Sequence, residues 1–173
     1  MSETGQPSVA SVNLRDFYNV LILWIKYFYM LIGEYNHNLD KKKRFSLPSK
    51  MRKFFGEKLI LTRGLDKCLF LYPGDEWKKV AEKINAFPVG QAKSRQFARV
   101  MLGGAVEAEI DALGRILLPD HLKQYAALES RIVIVGVYSR AEVWDEAEWK
   151  RYRFQGELTA NEIAEQLGEL GLY

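Results

Sequence analysis

The sequence "GEYNHNLDKKKRFSLPSKMRKF" (Gly33–Phe54) returns in changed form as "GAVEAEIDALGRILLPDHLKQY" (Gly104–Tyr125), and the two stretches align without a gap. After one inserted residue, Leu59–Trp77 aligns with Arg131–Trp149. This register matches Ile60 with Ile132, Gly64 with Gly136, Tyr72 with Trp144 and Trp77 with Trp149. Most of the chain therefore consists of two copies of one unit of roughly fifty residues.

Each copy shows the same succession of local signals. A short strand ends at Leu39 or Ile110, a D-x-x-x-R turn follows, and a second strand runs into a proline. A short helix, a pair of β-rich runs and a helix from Asp75 or Asp145 complete the unit. The pattern predicts an α+β fold of two tandem β-β-α-β-β units. Because a unit of this size buries little surface alone, we expect the copies to share a core and the protein to self-associate.

The chain outside the two copies divides into three further segments. We predict an N-terminal extension (1–29), a first repeat (30–79), a helical linker (80–103), a second repeat (104–152) and a C-terminal amphipathic helix (153–173). In the last segment, "TANE" (Thr159–Glu162) is a capping-box pattern. It predicts a separate short helix that begins there, with Ile163, Leu167 and Leu170 on one side.

The two Asp-to-Arg turns, Asp40–Arg44 and Asp111–Arg115, differ at the position before the arginine. The second turn has Gly114, the residue that tolerates a positive φ at least cost. The first has Lys43, which would cost up to ~1 kcal/mol in the left-handed conformation. Either the first turn has another geometry or the extra charge has a use. We expect the aspartates to lock the turns through an ion pair or an Asx-type cap.

Positive charge is concentrated at the first turn. The net charge is only +3, but Lys41–Lys53 holds seven basic residues and no acid, whereas Gly156–Tyr173 holds four glutamates and no base. A lysine run alone is typical of a solvated surface. A lysine run beside a duplicated arginine turn instead indicates a surface that binds a polyanion. The guanidinium binds phosphate or guanine bidentately, and the lysines supply point charges. The candidate contacts are Arg44, Lys41, Lys42, Lys43 and Arg115.

The composition excludes several kinds of site. The single cysteine, Cys68, cannot form an intramolecular disulfide and lies in an apolar run, which predicts a buried thiol. Cys68, His37 and His121 together are too few ligands for a structural zinc site. No nucleophile–base pattern and no glycine-rich phosphate loop is present. We therefore expect no catalytic residue, metal or cofactor.

An apolar segment, residues 17–32, precedes the first turn. It is shorter than the ~20 apolar residues that cross a bilayer, and it contains Asn19 and Lys26. A membrane anchor, a helix packed on the domain and a non-native extension from a wrongly chosen start codon are the alternatives.

Three motifs together resemble the MraZ family of bacterial transcriptional regulators. They are "MLIGEYNHNLDKKKRFSLPSKMR", "LTRGLDKCLFLYPGDEW" and "GAVEAEIDALGRILLPDHLKQYAAL", and the resemblance spans about Met30 to Tyr152. It implies tandem AbrB-like swapped-hairpin units, a ring-shaped homo-oligomer and binding to short direct repeats in its own promoter, usually as a repressor. It also implies that Arg44 binds DNA. The usual first turn has glycine where this chain has Lys43.

The resemblance leads to the hypothesis of a cytoplasmic, nucleoid-associated repressor of the division and cell-wall gene cluster, with double-stranded DNA as its partner. Family members usually begin at a methionine matching Met30, so we expect residues 1–29 to reflect a misplaced start. The alternatives are a membrane-associated division scaffold anchored by residues 17–32, with the lysine run on anionic lipid, and an antitoxin-like partner of a toxin.

Overall fold

The same order of elements occurs twice in the computed structural model, which describes residues 30–172. The elements of this part of the chain are β1 (Leu31–Asn38), β2 (Arg44–Ser46), α1 (Ser49–Phe55), β3 (Lys58–Arg63), β4 (Leu69–Tyr72), α2 (Gly74–Asn85), α3 (Ala92–Met101), β5 (Val106–Glu109), β6 (Arg115–Leu117), α4 (Asp120–Tyr125), β7 (Arg131–Tyr138), β8 (Arg140–Asp145) and α5 (Glu146–Glu169). The α+β class predicted from the sequence is confirmed.

The two copies exchange strands within one antiparallel sheet. Its order is β1-β7-β8-β4-β3-β5, so β1 of the first copy pairs with β7 of the second, and β5 of the second pairs with β3 of the first. The order is symmetric about the β8–β4 contact, where the two hairpins meet. Each copy thus supplies the edge strand of the other copy's half-sheet, and neither half is complete alone.

A second, two-stranded sheet joins the copies again. Strands β2 and β6 pair antiparallel, with Phe45 opposite Ile116. Because side chains alternate along a strand, these two central residues point into the core while their neighbours point outward. Both are fully buried, and burying an aliphatic or aromatic side chain of this size contributes about 1.5–3 kcal/mol. We call this two-stranded sheet the ribbon.

The main core lies between the large sheet, the ribbon and the two short helices. Equivalent positions of both copies enter it in pairs: Leu47 with Leu118, Met51 with Leu122, and Leu61 with Ile134. Prolines precede both short helices, where their fixed φ suits the helix start. The duplicated sequence therefore builds one core with contributions from both copies.

A second cluster lies on the other face of the sheet, under α2, α3 and the start of α5. Two ring pairs at equivalent positions mark it: Tyr72 with Trp77, with centroids 5.7 Å apart, and Trp144 with Trp149, at 5.4 Å. The first turns of helices α2 and α5 therefore pack on the two halves of the sheet through equivalent ring pairs.

Cys68 belongs to the second cluster and is buried. Its thiol donates to the Leu65 carbonyl over 3.1 Å, and burial raises the pKa of the thiol well above its usual range. The thiol therefore stays protonated at neutral pH, in keeping with the small buried cysteine predicted from the sequence.

The strand pairing corrects the sequence alignment of the hairpins by one residue. Leu59 pairs with Ala108, and the residue of the first copy that is equivalent to Ala108, His37, pairs with Ile132. Leu59 is therefore equivalent to Ile132, whereas the alignment matched it with Arg131. The connection that leads into β7 is therefore two residues longer than the connection that leads into β3. The sequence alignment had assigned it only one extra residue. The matches of Ile60 with Ile132 and Gly64 with Gly136 are wrong for this reason.

The predicted helix start at "TANE" is also wrong. Thr159 lies inside α5, which begins at Glu146, and its hydroxyl donates to the Gln155 carbonyl one turn earlier, over 3.2 Å. The start is capped instead by Asp145, whose carboxylate accepts the Ala147 amide at 3.0 Å. Lengthening an existing helix avoids the cost of a new nucleus, so the capping pattern has no effect here.

The predicted linker, 80–103, contains the end of α2, a turn and all of α3. Of the apolar segment 17–32, residues 17–29 lie outside the described residues, and Leu31 and Ile32 begin strand β1. Among residues 30–172, no helix has the length and apolar character needed to cross a bilayer.

Candidate nucleic-acid interface

The first turn, Asp40–Arg44, is closed by its own aspartate. The Lys43 amide donates to the Asp40 carbonyl at 2.9 Å, and the Asp40 amide donates to the Arg44 carbonyl at 2.8 Å. The Asp40 Oδ1 atom accepts the backbone amides of Lys42 at 2.8 Å and Arg44 at 2.9 Å. The Oδ2 atom accepts the Arg44 side chain, from Nε at 2.9 Å and Nη2 at 2.7 Å. Asp40 therefore shapes the turn and holds the guanidinium.

The second turn, Asp111–Arg115, repeats every one of these bonds. Asp111 Oδ1 accepts the amides of Leu113 and Arg115, each at 2.9 Å, and Oδ2 accepts the Arg115 Nε and Nη2 atoms, each at 2.7 Å. The side-chain and backbone bonds from Arg115 lower the pKa of Asp111 to about 2, and those from Arg44 lower the pKa of Asp40. Both carboxylates are therefore ionised at neutral pH.

Lys43 adopts the conformation of a glycine. Its φ is 58°, close to the 76° of Gly114, so the first turn keeps the geometry of the second. Its ammonium forms an ion pair with Asp120, in the first turn of α4, and this contact lowers the pKa of Asp120. The lysine that strains the first turn thus links it to the second copy.

Gly114 is required by its neighbours as well as by its φ. A Cβ atom there would lie 2.1 Å from Cζ of Arg52, whose Nε donates to the Leu47 carbonyl at 3.0 Å. The guanidinium of Arg52 thus occupies the space that a side chain would need. Lys43 thus bonds the first turn to α4 of the second copy, and Arg52 of α1 lies directly beside Gly114 in the second turn.

The ribbon places the two turns at its opposite ends. Arg44 lies opposite Leu117, and Ser46 lies opposite Arg115. Two backbone bonds extend the pairing into the turns: the Leu47 amide donates to the Gly114 carbonyl at 2.9 Å, and the Leu118 amide to the Lys43 carbonyl at 2.8 Å. Because alternation buries the central pair, both arginines lie on the outward face of the ribbon.

The two ends of this outward face differ in charge. Lys41 and Lys42 are exposed at the tip of the first turn, and Ala112 and Leu113 are exposed at the same places of the second. Lys50 and Lys53 of α1 are exposed near the first turn in sequence. The fold of the turns is duplicated, but only the first turn has lysines at its tip.

The structure places Arg44 and Lys41–Lys43 at one end of the ribbon and Arg115 at the other. Ser46, Leu117, Asp120 and Arg52, which the sequence did not indicate, lie beside these turns. The pairing of Arg44 with Leu117 could not be read from the sequence, because a duplicated pattern does not say which strands of the copies pair. Among residues 30–172, no group of three or more His, Cys, Asp or Glu side chains could hold a metal ion.

The strain at Lys43 can be measured directly. We expect Lys43→Gly to have a free energy of unfolding about 1 kcal/mol higher than Lys43→Ala, because only alanine retains the cost of a left-handed residue. Both variants lose the ion pair with Asp120, so it cancels in the comparison. Urea unfolding at one protein concentration gives the two values.

Lys42 is the matched control for this comparison, since it lies in the same turn without a positive φ. There the order should reverse, with Lys42→Ala more stable than Lys42→Gly. Equal stability of the two Lys43 variants would mean that the first turn is not strained in solution.

Comparison with known proteins places these features in a family. The family model of MraZ protein matches the chain twice, over residues 30–100 and 101–167. The transcriptional regulator MraZ of Desulforamulus reducens is 43% identical over 141 residues, covering 82% of this chain and 99% of that protein. The one of Caldanaerobacter subterraneus subsp. tengcongensis is 43% identical over 143 residues, covering 83% and 100%. The one of Desulfitobacterium hafniense is 47% identical with that same coverage.

Proposed function

Because the chain belongs to the MraZ family, we propose that it is a non-enzymatic, sequence-specific DNA-binding regulator of transcription that represses the division and cell-wall gene cluster, including its own gene. The observation that carries the proposal is the ribbon with two outward arginines and one basic end. A two-stranded ribbon fits the major groove of B-DNA, where base pairs present distinct hydrogen-bonding patterns.

Arg44 is the proposed base contact. Asp40 engages its Nε and Nη2 atoms, which fixes the plane of the guanidinium. The remaining N–H groups lie along the Nη1–Nη2 edge, and a guanidinium held in this way can donate two parallel bonds to the O6 and N7 atoms of guanine. The partner aspartate therefore orients the arginine for recognition as well as shaping its turn.

The lysines of the first turn are the proposed phosphate contacts. Lys41 and Lys42 supply charge at the exposed tip, and Lys43 does so by exchanging Asp120 for a phosphate. Arg115 has an auxiliary role, because no lysine accompanies it in the second turn. Phosphate contacts position the protein, and the arginine specifies the sequence.

Assembly completes the proposal. The exchange of strands between the copies supports AbrB-like swapped-hairpin units, and family membership supports a ring-shaped homo-oligomer bound to direct repeats in the promoter. Linked sites raise the effective concentration of each further contact, so individually weak turns can hold a repeated operator tightly. Such a protein acts in the cytoplasm at the nucleoid. The anchored scaffold is not proposed, since the described end of its segment is strand β1.

Fluorescence anisotropy on the protein's own upstream DNA tests this function. The full chain should bind that DNA more tightly than scrambled DNA of equal length. Binding should weaken steeply with salt, with a slope of about 0.9 for each phosphate neutralised. Equal affinity for both DNAs at every salt concentration would refute sequence-specific regulation.

A further inference from the structure

Helix α5 continues beyond the body that it packs on. Its start is anchored, because Trp149 packs on Trp144 and the Trp149 Nε1 atom donates to Glu34 at 2.9 Å. Arg153, at 3.2 Å from the same carboxylate, is the last residue of α5 to form a hydrogen bond or ion pair with another element among residues 30–172. We call residues 154–172, the rest of α5 and the three residues after it, the tail.

The tail carries an apolar stripe. Tyr152 stacks on the rings at the start of the helix, and Ile163 follows it by eleven residues, which is close to three full turns. Leu167 and Leu170 continue the same side. These side chains are exposed by 46%, 37% and 72% respectively. The face that packs on the sheet at the helix start therefore continues outward with no partner among residues 30–172.

The helical hairpin of α2 and α3 is a second exposed apolar surface. Phe87 and Phe97 form a ring pair at its turn, with centroids 6.1 Å apart, although they are 42% and 37% exposed. Val89 and Val100 are exposed in the same region of the chain. Both surfaces therefore contain large apolar side chains that bury readily against another apolar surface.

The charges of the two surfaces are complementary. Residues 156–172 contain four glutamates and no lysine or arginine. The hairpin, residues 74–101, contains six lysines and arginines against three acids. Opposite potentials favour association of these surfaces, and like charges oppose the contact of tail with tail or of hairpin with hairpin.

The pseudo-symmetry of the fold explains why each chain has one of each surface. In the first half, α3 follows α2 and its Met101 carbonyl accepts the buried Thr62 hydroxyl at 2.7 Å, which fixes α3 on the sheet. In the second half, no helix follows α5 within the described residues. Helix α5 instead continues past the positions equivalent to the end of α2. Within the part of the chain that the structure describes, one half of the sheet thus carries a helical hairpin and the other a single helix.

We propose that the tail of α5 docks on the α2–α3 hairpin of a second copy of this chain. The contact is heterologous, since it joins two different surfaces, and repetition of a heterologous contact gives a closed ring or an open filament. This inference rests on the homo-oligomer proposed above and assigns its interface. It is independent of the DNA-binding turns.

Two substitutions test the contact in the full chain without DNA. Leu167→Glu places an acid in the stripe, and Phe97→Glu places one in the hairpin, opposite an acidic tail. We expect each variant alone to be monomeric by light scattering after gel filtration. Their equimolar mixture should form a complex of one chain of each, because one wild-type tail and one wild-type hairpin remain.

The controls are two leucines outside the apolar stripe and the hairpin, each more exposed than the residues tested. Leu158 is 69% exposed on the opposite side of α5, and Leu65 is 55% exposed in the turn after β3. Leu158→Glu and Leu65→Glu should keep the mass of the wild type. Circular dichroism melts of all four variants establish that each is folded.

Three outcomes would overturn the proposal. If both test variants keep the wild-type mass, the surfaces do not form the interface, although the oligomer itself stands. If the mixture remains monomeric, the contact is not heterologous. If the wild type is a monomer, assembly is refuted together with its interface, and DNA binding is judged separately by anisotropy.

Discussion

Arg44→Ala should weaken binding to the upstream DNA by about tenfold to a hundredfold, the effect of losing a base contact of about 1–3 kcal/mol. The same substitution at Arg115 should change the affinity by less than about threefold. The two arginines make identical bonds to their aspartates, so damage to the turn is matched between the variants. The difference between them isolates the role of the first turn in recognition.

Arg44→Lys separates recognition from charge. Lysine keeps the positive charge but cannot form two parallel bonds, so affinity for scrambled DNA should hold while affinity for the upstream DNA falls. Anisotropy at several salt concentrations measures both. Equal losses in Arg44→Ala and Arg115→Ala, or an unchanged Arg44→Ala, would contradict the assignment of Arg44.

Local features of the fold could be predicted from the sequence because local chemistry decides them. An aspartate four residues before an arginine specifies an Asx-closed turn, and both turns form it, with Lys43 in the first and Gly114 in the second as the left-handed residue. A proline just before an apolar run marks the start of a short helix, and both helices begin directly after their prolines. These signals act within five residues and need no knowledge of the partner copy.

Features that join the copies could not be predicted in this way. Lys43 and Asp120 lie 77 positions apart in the chain, and only the pairing of β2 with β6 brings them together. The same holds for Arg52 at Gly114. The one signal in the sequence was Lys43, which stands where the second turn has Gly114. A lysine at this strained position indicated that its side chain makes a compensating contact.

The capping-box error has a related cause. Helix α5 is capped by Asp145 and packs on the sheet through Trp149, and both residues precede Thr159. A capping pattern can only begin a helix where the preceding residues are not already helical. The sequence shows the pattern but not the state of the residues before it.

The two turns share one framework and differ at their tips, which is why only one end of the ribbon is proposed to bind DNA. The bonds that shape the turn are kept in both copies, and they depend on Asp, Arg and a left-handed residue. The tip residues Lys42 and Leu113 take part through their backbone amides, so these bonds do not depend on their side chains. The same turn therefore presents lysines at its tip in the first copy and Leu113 at its tip in the second.

Phe45→Ala and Ile116→Ala should both destabilise the whole chain, by about 3–5 and 2–5 kcal/mol respectively. The two side chains face each other across the ribbon and are fully buried, so truncation leaves a cavity shared by both copies. Because β1 and β5 each complete the other copy's half-sheet, residues 31–145 should unfold in one transition. Urea unfolding followed by tryptophan fluorescence and circular dichroism, at one protein concentration, measures both points.

The control is Leu117→Ala, next to Ile116 in the same strand but exposed. It should change the free energy of unfolding by no more than about 0.5 kcal/mol. Separate transitions, with only one of them shifted by Phe45→Ala, would show that the copies fold as independent domains. Coincident shifts of both signals would instead establish that duplication produced one cooperative fold, because a repeat whose edge strand lies in the other copy cannot fold first alone.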